Sequence, residues 1–178
     1  MAEDELALAG RDLPCLMLHS TGCGRVDLRE LGRELLVLFL YPHATGSREP
    51  PLPDWDRIPG ARGCTAQSCA FRDHHAELIA LRAELAGLST QAVGEQRIFA
   101  ARVGLNYRLI SDPDRRVAAA LGLPTFEAGG QIYYRRLTLV AANGTIEKVF
   151  YPVPAPQRNA ADVVDWLAAR QARERELR

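Results

Sequence analysis

Two cysteines, Cys64 and Cys69, lie where thiol chemistry could occur. A loop rich in proline and glycine, residues 59–63, leads into a predicted helix that begins at Cys64. The unpaired amides and the positive dipole at the start of a helix favour a negative charge, and the neighbouring Arg62 adds a cation. The thiolate is the nucleophilic form of cysteine. We therefore predict that Cys64 is a reactive thiol.

The spacing within this helix places the two cysteines apart. Cys64, Phe71, Leu78 and Leu85 recur every seven residues and share one apolar face of a helix that we extend to about Leu85. Cys69 follows five residues after Cys64, which puts their Cα atoms about 8.7 Å apart in an ideal helix. A disulfide needs a Cα separation of roughly 4.4 to 6.8 Å. The two thiols can therefore join only if the first turns of the helix unwind.

The composition limits the class of protein. The chain has 178 residues, 47% of them apolar, which suits one folded domain. It carries 22 basic and 22 acidic residues with the arginines spread out, so no nucleic-acid partner is indicated. The acidic N-terminus does not resemble a secretory signal, and the apolar run at 35–41 is too short to span a bilayer. We expect a cytoplasmic protein without membrane contact, in which four cysteines are too few for a disulfide scaffold.

Hydrophobic periodicity and turn signals predict the elements that position the cysteines. We expect a loose arm over residues 1–12 and a single domain over 13–178, which opens with a hairpin around the turn at 20–24. Residues 34–41 form a continuous apolar strand, covered on both faces, and an inserted loop at 43–62 follows it. The remaining predicted elements are a short helix within 27–33, strands at 87–90, 107–111, 131–141 and 145–151, and helices at 93–103, 114–121 and 160–173. This order predicts an α/β protein with a thioredoxin-like fold, in which helices flank a central mixed sheet with an N-terminal hairpin extension.

The motif around Cys64 resembles that of a known family. Residues 63–69 read Gly-Cys-Thr-Ala-Gln-Ser-Cys and are followed by Phe-Arg-Asp at 71–73, which resembles the peroxiredoxins of the bacterioferritin-comigratory or peroxiredoxin Q group. The resemblance extends from about Leu13 to Leu167. It includes Tyr-Pro at 41–42, Ser-Asp-Pro at 111–113 and an arginine, Arg136, that opens a late strand.

The resemblance implies a thiol peroxidase that acts on hydrogen peroxide or organic hydroperoxides. Cys64 would be the peroxidatic residue, Cys69 the resolving one, and Arg136 the cation that stabilises the thiolate and the leaving oxygen. The resulting intramolecular disulfide would be reduced by a thioredoxin-like or glutaredoxin-like protein. No metal or organic cofactor is implied, and we expect a monomer or a weak homodimer.

Two positions depart from the family pattern. The family usually has threonine three residues before the peroxidatic cysteine, where this chain has Ala61. Our hypothesis is that Thr45, after Tyr41-Pro42, supplies the missing hydroxyl if the inserted loop folds back. Gln67 stands where relatives commonly have glutamate, so a role that needs a carboxylate there does not carry over.

Several residues have a second interpretation. If Cys69 is only a packing residue, the enzyme uses one cysteine, and Arg135 could face the site instead of Arg136 because adjacent strand residues point to opposite faces. Trp55 in the inserted loop is either a packing anchor or a partner contact. We interpret Cys15 and Cys23 as inert core cysteines.

Other functions also fit parts of the pattern. Oxidation of Cys64 and Cys69 could serve a peroxide-sensing redox switch or a chaperone-like binding protein without efficient turnover. A structural zinc protein is a third alternative, because His74 and His75 follow the cysteines closely. Their spacing is not typical of zinc sites, however, and we interpret these histidines as solvated or helix-capping residues.

Overall fold

The computed structural model describes residues 6–22, 24–46 and 51–177, so Cys23 and the first five residues lie outside the described part. The strands are β1 (Met17–Ser20), β2 (Arg25–Asp27), β3 (Leu35–Leu40), β4 (Glu84–Ser89), β5 (Arg108–Ser111), β6 (Thr125–Ala128), β7 (Gln131–Tyr134), β8 (Leu137–Ala142) and β9 (Thr145–Phe150). The helices are α1 (Leu28–Leu31), α2 (Cys64–Asp73), α3 (His75–Ala80), α4 (Val93–Val103), α5 (Arg116–Leu121) and α6 (Asn159–Glu176).

Seven of the described strands form one mixed sheet, in the order β2-β1-β5-β4-β3-β8-β9. The central strand β3 runs parallel to β4 and antiparallel to β8. Alternate residues of β3 enter two different cores, since Leu36 and Leu38 pack on one face and Val37 and Phe39 on the other. Burial on both faces explains why this segment is apolar throughout. The predicted α/β architecture with a central mixed sheet is confirmed.

Helices cover both faces of the sheet. Residues of α2, α3, α4 and α6 pack in the core that contains Phe39, whereas α1 and α5 contribute to the opposite core. The predicted N-terminal hairpin is also present, because β1 and β2 pair antiparallel, and β1 continues into the sheet by pairing with β5. In the described part of the chain, no helix is long and apolar enough to cross a membrane.

The N-terminal residues that the structure describes are not loose. Leu8 is only 2% exposed and packs in the core on the α5 side. Arg11 donates from Nη1 to the carbonyl of Leu121 over 2.6 Å, and Asp12 forms a β-bridge with Thr145. The expectation of a loose arm is therefore wrong for residues 6–12, since one apolar side chain and one guanidinium attach them to the rest of the fold.

The long helix predicted from Cys64 to Leu85 is divided. α2 ends at Asp73, α3 follows from His75 to Ala80, and Leu85 lies in β4. The chain reverses direction at Arg82, whose φ of 61° lies in the left-handed region. Phe71, Leu78 and Leu85 are nevertheless buried in one core with Cys64, as the spacing predicts. The prediction is wrong in placing Leu85 on a helix. Leu85 lies in β4, where it pairs with Val37 of β3.

The strand predicted over residues 131–141 is also divided. β7 ends at Tyr134 and β8 begins at Leu137, so Arg135 and Arg136 form the break between them. β7 pairs instead with β6, in a segment that we expected to be irregular. Because β7 pairs with β6 whereas β8 pairs with β3, the two strands lie in different sheets. Arg136 lies between them, outside the strand pairing of the main sheet.

The expectation that Cys15 is a core cysteine is wrong, because its side chain is exposed. In the adjoining β1, Leu18 and Ser20 are buried whereas Met17 and His19 are exposed. Cys15 lies two residues before Met17, so the alternation of an extended chain places its side chain on the same exposed side as those of Met17 and His19. Cys23, which we also interpreted as a core cysteine, lies outside the described residues.

Candidate active site

Cys64 is the first residue of α2, and its side chain is buried, with 4% exposure. Gly63 precedes it with a φ of 106°, a conformation that favours glycine. A Cβ atom at Gly63 would lie 2.7 Å from Cγ of Pro156, so the close approach of this proline also requires glycine. Glycine therefore allows the chain to enter the helix with the thiol pointing inward at its N-terminus.

Arg136 brings a guanidinium to the thiol. Its Nη2 lies 3.3 Å from Sγ of Cys64. The same nitrogen lies within 3.2 Å of the carbonyl oxygens of Gly60 and Ala61 and 3.0 Å from that of Arg62. These contacts hold the loop before Cys64 against the end of β7, so one side chain organises both the loop and the sulfur.

The other two arginines considered from the sequence lie elsewhere. Arg135 places its guanidinium 5.4 Å from the ring centroid of Phe126. The side chain of Arg62 is exposed, and it is the Arg62 carbonyl that contacts Arg136. The cation in contact with Cys64 is therefore Arg136, from the break between β7 and β8, and not Arg62.

A buried chain of polar groups extends from Arg136 into the fold. Nη1 of Arg136 donates to Oε1 of Gln67 over 2.6 Å. Nε2 of Gln67 donates to Oδ1 of Asn159 over 3.0 Å, and the Thr138 hydroxyl donates to the same oxygen over 2.6 Å. These groups connect α2, α6 and β8 to the guanidinium that contacts the sulfur.

Neither Asn159 nor Thr138 is recognisable from the sequence as part of this site. An asparagine at the start of a helix predicts an N-cap, and a threonine in a strand has no distinguishing feature. Asn159 is 92 residues from Gln67 along the chain, so no local pattern links them.

A cavity of about 510 Å³ opens beside Cys64. Thr45, Trp55 and Arg102 are among its lining residues. Nη2 of Arg102 donates to the backbone carbonyl of Thr45 over 3.0 Å. The structure thus brings Thr45 to the same cavity as Cys64, although most of the inserted loop lies between them in the sequence.

Gln91 holds the segment before Thr45 in place. Its side-chain oxygen accepts from the backbone amide of Ala44 over 2.9 Å, and its nitrogen donates to the Ala44 carbonyl over 2.8 Å. Gln91 is itself buried. This paired contact was not predicted, because a lone glutamine on a distant loop has no recognisable pattern.

Aromatic residues support the inserted loop. Trp55 is buried and packs in a small separate core with Ala61 and Tyr133. Trp55 therefore acts as a packing anchor. His43 lies 6.2 Å from Trp55 between ring centroids, and burial lowers the pKa of His43, opposed by the negative charge of Glu95.

Cys69 lies on the same helix as Cys64 and is half-buried, and both thiols are free. Because α2 is continuous from Cys64 to Asp73, the helix geometry keeps these thiols apart. The Tyr107 hydroxyl donates to the Ser68 carbonyl over 2.7 Å and fastens this part of the helix. A disulfide between the two cysteines therefore requires a change in the helix.

The neighbouring histidines have other roles in the structure. Nδ1 of His74 lies 2.7 Å from Oε1 of Glu77, and His74 stands between α2 and α3. The ring of His75 packs edge-on against Tyr107. Among residues 6–22, 24–46 and 51–177, no group of three or more His, Cys, Asp or Glu side chains is arranged to hold a metal ion.

The chain is similar to known proteins of one family. Residues 58–149 match the AhpC/TSA family. The chain is 36% identical over 145 residues to a putative peroxiredoxin bcp of Haemophilus influenzae, which covers 79% of this chain and 84% of that protein. It is 26% identical over 142 residues to the chloroplastic peroxiredoxin Q of Gentiana triflora, covering 80% of this chain but only 58% of that protein.

The fold is also similar to solved structures. Peroxidoxin BcpB of Mycobacterium tuberculosis superposes with a TM-score of 0.73 at 27% identity, over 90% of this chain and 96% of that one. Peroxiredoxin Q of Xanthomonas campestris gives a TM-score of 0.71 at 23% identity, over 90% and 97% of the two chains, which supports the thioredoxin-like fold. The chain therefore belongs to the AhpC/TSA family and is a peroxiredoxin of the peroxiredoxin Q and Bcp group.

Proposed function

We propose that the chain is a thiol-dependent peroxidase in which Cys64 is the peroxidatic cysteine. The observation that carries this proposal is the 3.3 Å contact between Nη2 of Arg136 and Sγ of Cys64 at the start of α2. A guanidinium and a helix N-terminus both stabilise a thiolate. The adjoining cavity of about 510 Å³ leaves room for hydrogen peroxide or an organic hydroperoxide.

The first step is a nucleophilic displacement at oxygen. The Cys64 thiolate attacks the terminal peroxide oxygen, an S–O bond forms, and the O–O bond breaks. The departing oxygen takes the electron pair and a proton and leaves as water or an alcohol, while Cys64 becomes a sulfenic acid. Arg136 stabilises the negative charge that grows on the leaving oxygen, a role suited to a cation already held in place by carbonyl groups.

The second step forms a disulfide within the chain. The Cys69 thiolate attacks the Cys64 sulfenic acid, the S–S bond forms, and hydroxide leaves and is protonated to water. Because both residues lie in the continuous helix α2, its N-terminal turns must unwind before this attack. A thioredoxin-like or glutaredoxin-like protein then supplies two thiols, which reduce the disulfide and allow α2 to reform.

The test is peroxide consumption with thioredoxin, thioredoxin reductase and NADPH. We expect turnover by the wild type, none by Cys64→Ser, and a single oxidation followed by arrest for Cys69→Ser. Continued turnover by Cys69→Ser would assign Cys69 to packing and require an outside thiol. An inert wild type, tested with both a thioredoxin and a glutaredoxin system, would reject the peroxidase assignment.

The alternative of a redox switch predicts a different result in the same assay. Its supporting observation is that Cys64 and Cys69 share one intact helix, so oxidation has to change the structure. A switch would consume about one equivalent of peroxide per chain and then stop, even with reductant present. Repeated turnover selects the peroxidase.

The cytoplasmic location and the monomeric or weakly dimeric state remain predictions. Light scattering after size-exclusion chromatography, over a hundredfold range of protein concentration, tests the second. A constant mass of two chains at the lowest concentration would contradict it.

A further inference from the structure

A second cavity, of about 380 Å³, has Arg136 in its wall. It is lined by residues of the inserted loop, of β6, of the break between β7 and β8, and of the segment at 151–156 that follows β9. Cys64 does not line it, although this cavity and the one beside Cys64 have Asp56 and Arg62 in common. Sites for small molecules usually have volumes of about 300 to 1,000 Å³. The cavity is therefore large enough to be a separate binding site.

Positive charge dominates the wall of this cavity. Its one acidic residue, Asp56, is outnumbered by four arginines, Arg57, Arg62, Arg135 and Arg136. In the part of the chain that the structure describes, the last three of these arginines take part in no ion pair. We call this site the arginine cavity. An excess of unpaired guanidinium groups favours an anionic ligand.

Arg136 is the buried member of this group, with 3% exposure. Its Nη atoms contact uncharged oxygens and the Cys64 thiol, and its Nε has no hydrogen-bond partner among the described residues. Gly60 and Arg62, whose carbonyls contact Nη2 of Arg136, line the arginine cavity as well. A buried cation without a counter-charge is unfavourable, so an anion in this cavity would stabilise it.

The remainder of the wall is apolar and aromatic. It includes Ile58, Phe126, Tyr151, Pro152, Pro154 and Pro156. The guanidinium of Arg135 lies 5.4 Å from the ring centroid of Phe126, so charge and aromatic surface adjoin in the wall. An apolar ligand body gains free energy by burial against such a surface, and a carboxylate pairs well with guanidinium groups. The wall therefore suits an organic carboxylate with an apolar body better than it suits an inorganic ion.

We propose that the arginine cavity binds an organic carboxylate, and that its occupation slows the reactions of the Cys64 thiolate. Nη2 of Arg136 lies 3.3 Å from Sγ of Cys64, so the thiolate and the bound carboxylate share one guanidinium. Two anions near one cation repel each other, which disfavours the thiolate. This inference goes beyond the proposed function, because neither binding nor its effect on the thiol involves peroxide.

The first experiment measures binding by isothermal titration calorimetry with hydrocinnamate and with hydrocinnamamide. The two probes have the same apolar body, but only hydrocinnamate carries a negative charge. We expect hydrocinnamate to bind about tenfold more tightly, because a carboxylate paired with guanidinium groups gains more free energy than an amide. Equal affinity for the two probes, or no binding of hydrocinnamate, overturns the inference.

Matched variants locate the bound probe. Arg135→Gln removes a charge from the arginine cavity, and Arg102→Gln removes one from the cavity beside Cys64. We expect Arg135→Gln to weaken hydrocinnamate binding about fivefold and Arg102→Gln to weaken it less than twofold. A larger loss in Arg102→Gln places the probe beside Cys64 and overturns the inference.

Urea unfolding verifies that each variant is folded. If Arg135→Gln is not folded, Arg57→Glu takes its place, because the Arg57 side chain is 84% exposed and lines the same cavity. This reversal of charge should also weaken hydrocinnamate binding about fivefold. Unchanged binding in Arg57→Glu would then overturn the inference.

The second experiment measures alkylation of Cys64 by iodoacetamide at pH 6, in a chain in which Cys15, Cys23 and Cys69 are replaced by serine. We expect saturating hydrocinnamate to slow alkylation about threefold, and hydrocinnamamide to leave it unchanged. An unchanged rate at full occupancy overturns the effect on Cys64. If the chain proves not to consume peroxide, both experiments still decide the inference. If it does consume peroxide, hydrocinnamate should slow that reaction to a similar extent.

Discussion

Thr45 lines the cavity that contains Cys64, and its backbone is held by Arg102. A hydroxyl there can hydrogen-bond a peroxide during the reaction, which alanine at position 61 cannot do. We predict that Thr45→Val slows the reaction with hydrogen peroxide by about tenfold or more, because one polarised donor is lost from the transition state.

Stopped-flow fluorescence measures this rate, with Thr125→Val on β6 as a control for the loss of a threonine hydroxyl. Full peroxide reactivity in Thr45→Val would show that the hydroxyl of Thr45 does not take part in the reaction.

His43 makes stability depend on pH. Burial lowers its pKa in the folded protein below the ordinary histidine value of about 6.5, so below that pH the unfolded chain binds more protons. The contribution of neutral His43 to stability is therefore present above about pH 6.5 and is lost as the pH falls toward the lowered value.

We predict that His43→Gln reduces the loss of stability between pH 7.5 and pH 5.5. Urea unfolding at both pH values gives the two free energies of unfolding. A loss as large in the variant as in the wild type would exclude His43 as a source of this pH dependence.

At the scale of elements, the interruption at His74 separates the helix that contains both cysteines from the helix that follows it. α2 ends at Asp73, and α3 carries the buried Leu78 as a separate helix. Both cysteines therefore lie in one ten-residue helix, and the unwinding of its first turns in the proposed disulfide step does not have to extend into α3.

Tyr107 restrains α2 through its bond to the Ser68 carbonyl. Burial raises the pKa of Tyr107, so its hydroxyl stays protonated and remains a donor. A hydrogen bond of this kind contributes about 1 kcal/mol, and we predict that Tyr107→Phe forms the Cys64–Cys69 disulfide about fivefold faster.

Quenched-flow trapping of free thiols after one equivalent of peroxide measures disulfide formation. Tyr133→Phe is the matched control, because the Tyr133 hydroxyl contacts Gln131 on the small sheet and not α2. Equal acceleration by both variants, or none by Tyr107→Phe, would contradict the restraint.

At the scale of the whole molecule, the N-terminal segment belongs to the folded body. Leu8 is buried in the same core as Leu121 of α5. We predict that Leu8→Ala lowers the free energy of unfolding by about 2 to 4 kcal/mol, through lost burial and a remaining cavity.

Chemical denaturation measures this difference, and Leu177→Ala provides a matched control because Leu177 is 87% exposed. The control should change stability by no more than about 0.5 kcal/mol. A similarly small effect of Leu8→Ala would mean that residues 6–12 add little to stability.

The sequence alone was sufficient for features that depend on neighbouring residues. The apolar run of β3, the start of α2 at Cys64 and the N-terminal hairpin of β1 and β2 follow from local periodicity and turn chemistry, and the structure contains all three. The incompatibility of an intact helix with a disulfide between Cys64 and Cys69 follows from their spacing alone.

The family resemblance named Arg136, but only the tertiary structure decided how this arginine and its partners surround the sulfur. Arg136 reaches Cys64 across 72 residues of sequence, and Gln67 reaches Asn159 across 92. These contacts depend on strand order, on the break between β7 and β8 and on the packing of α6. Local patterns report how the chain folds over a few residues, whereas contacts between distant segments are determined by how the whole sheet assembles and which core each side chain fills.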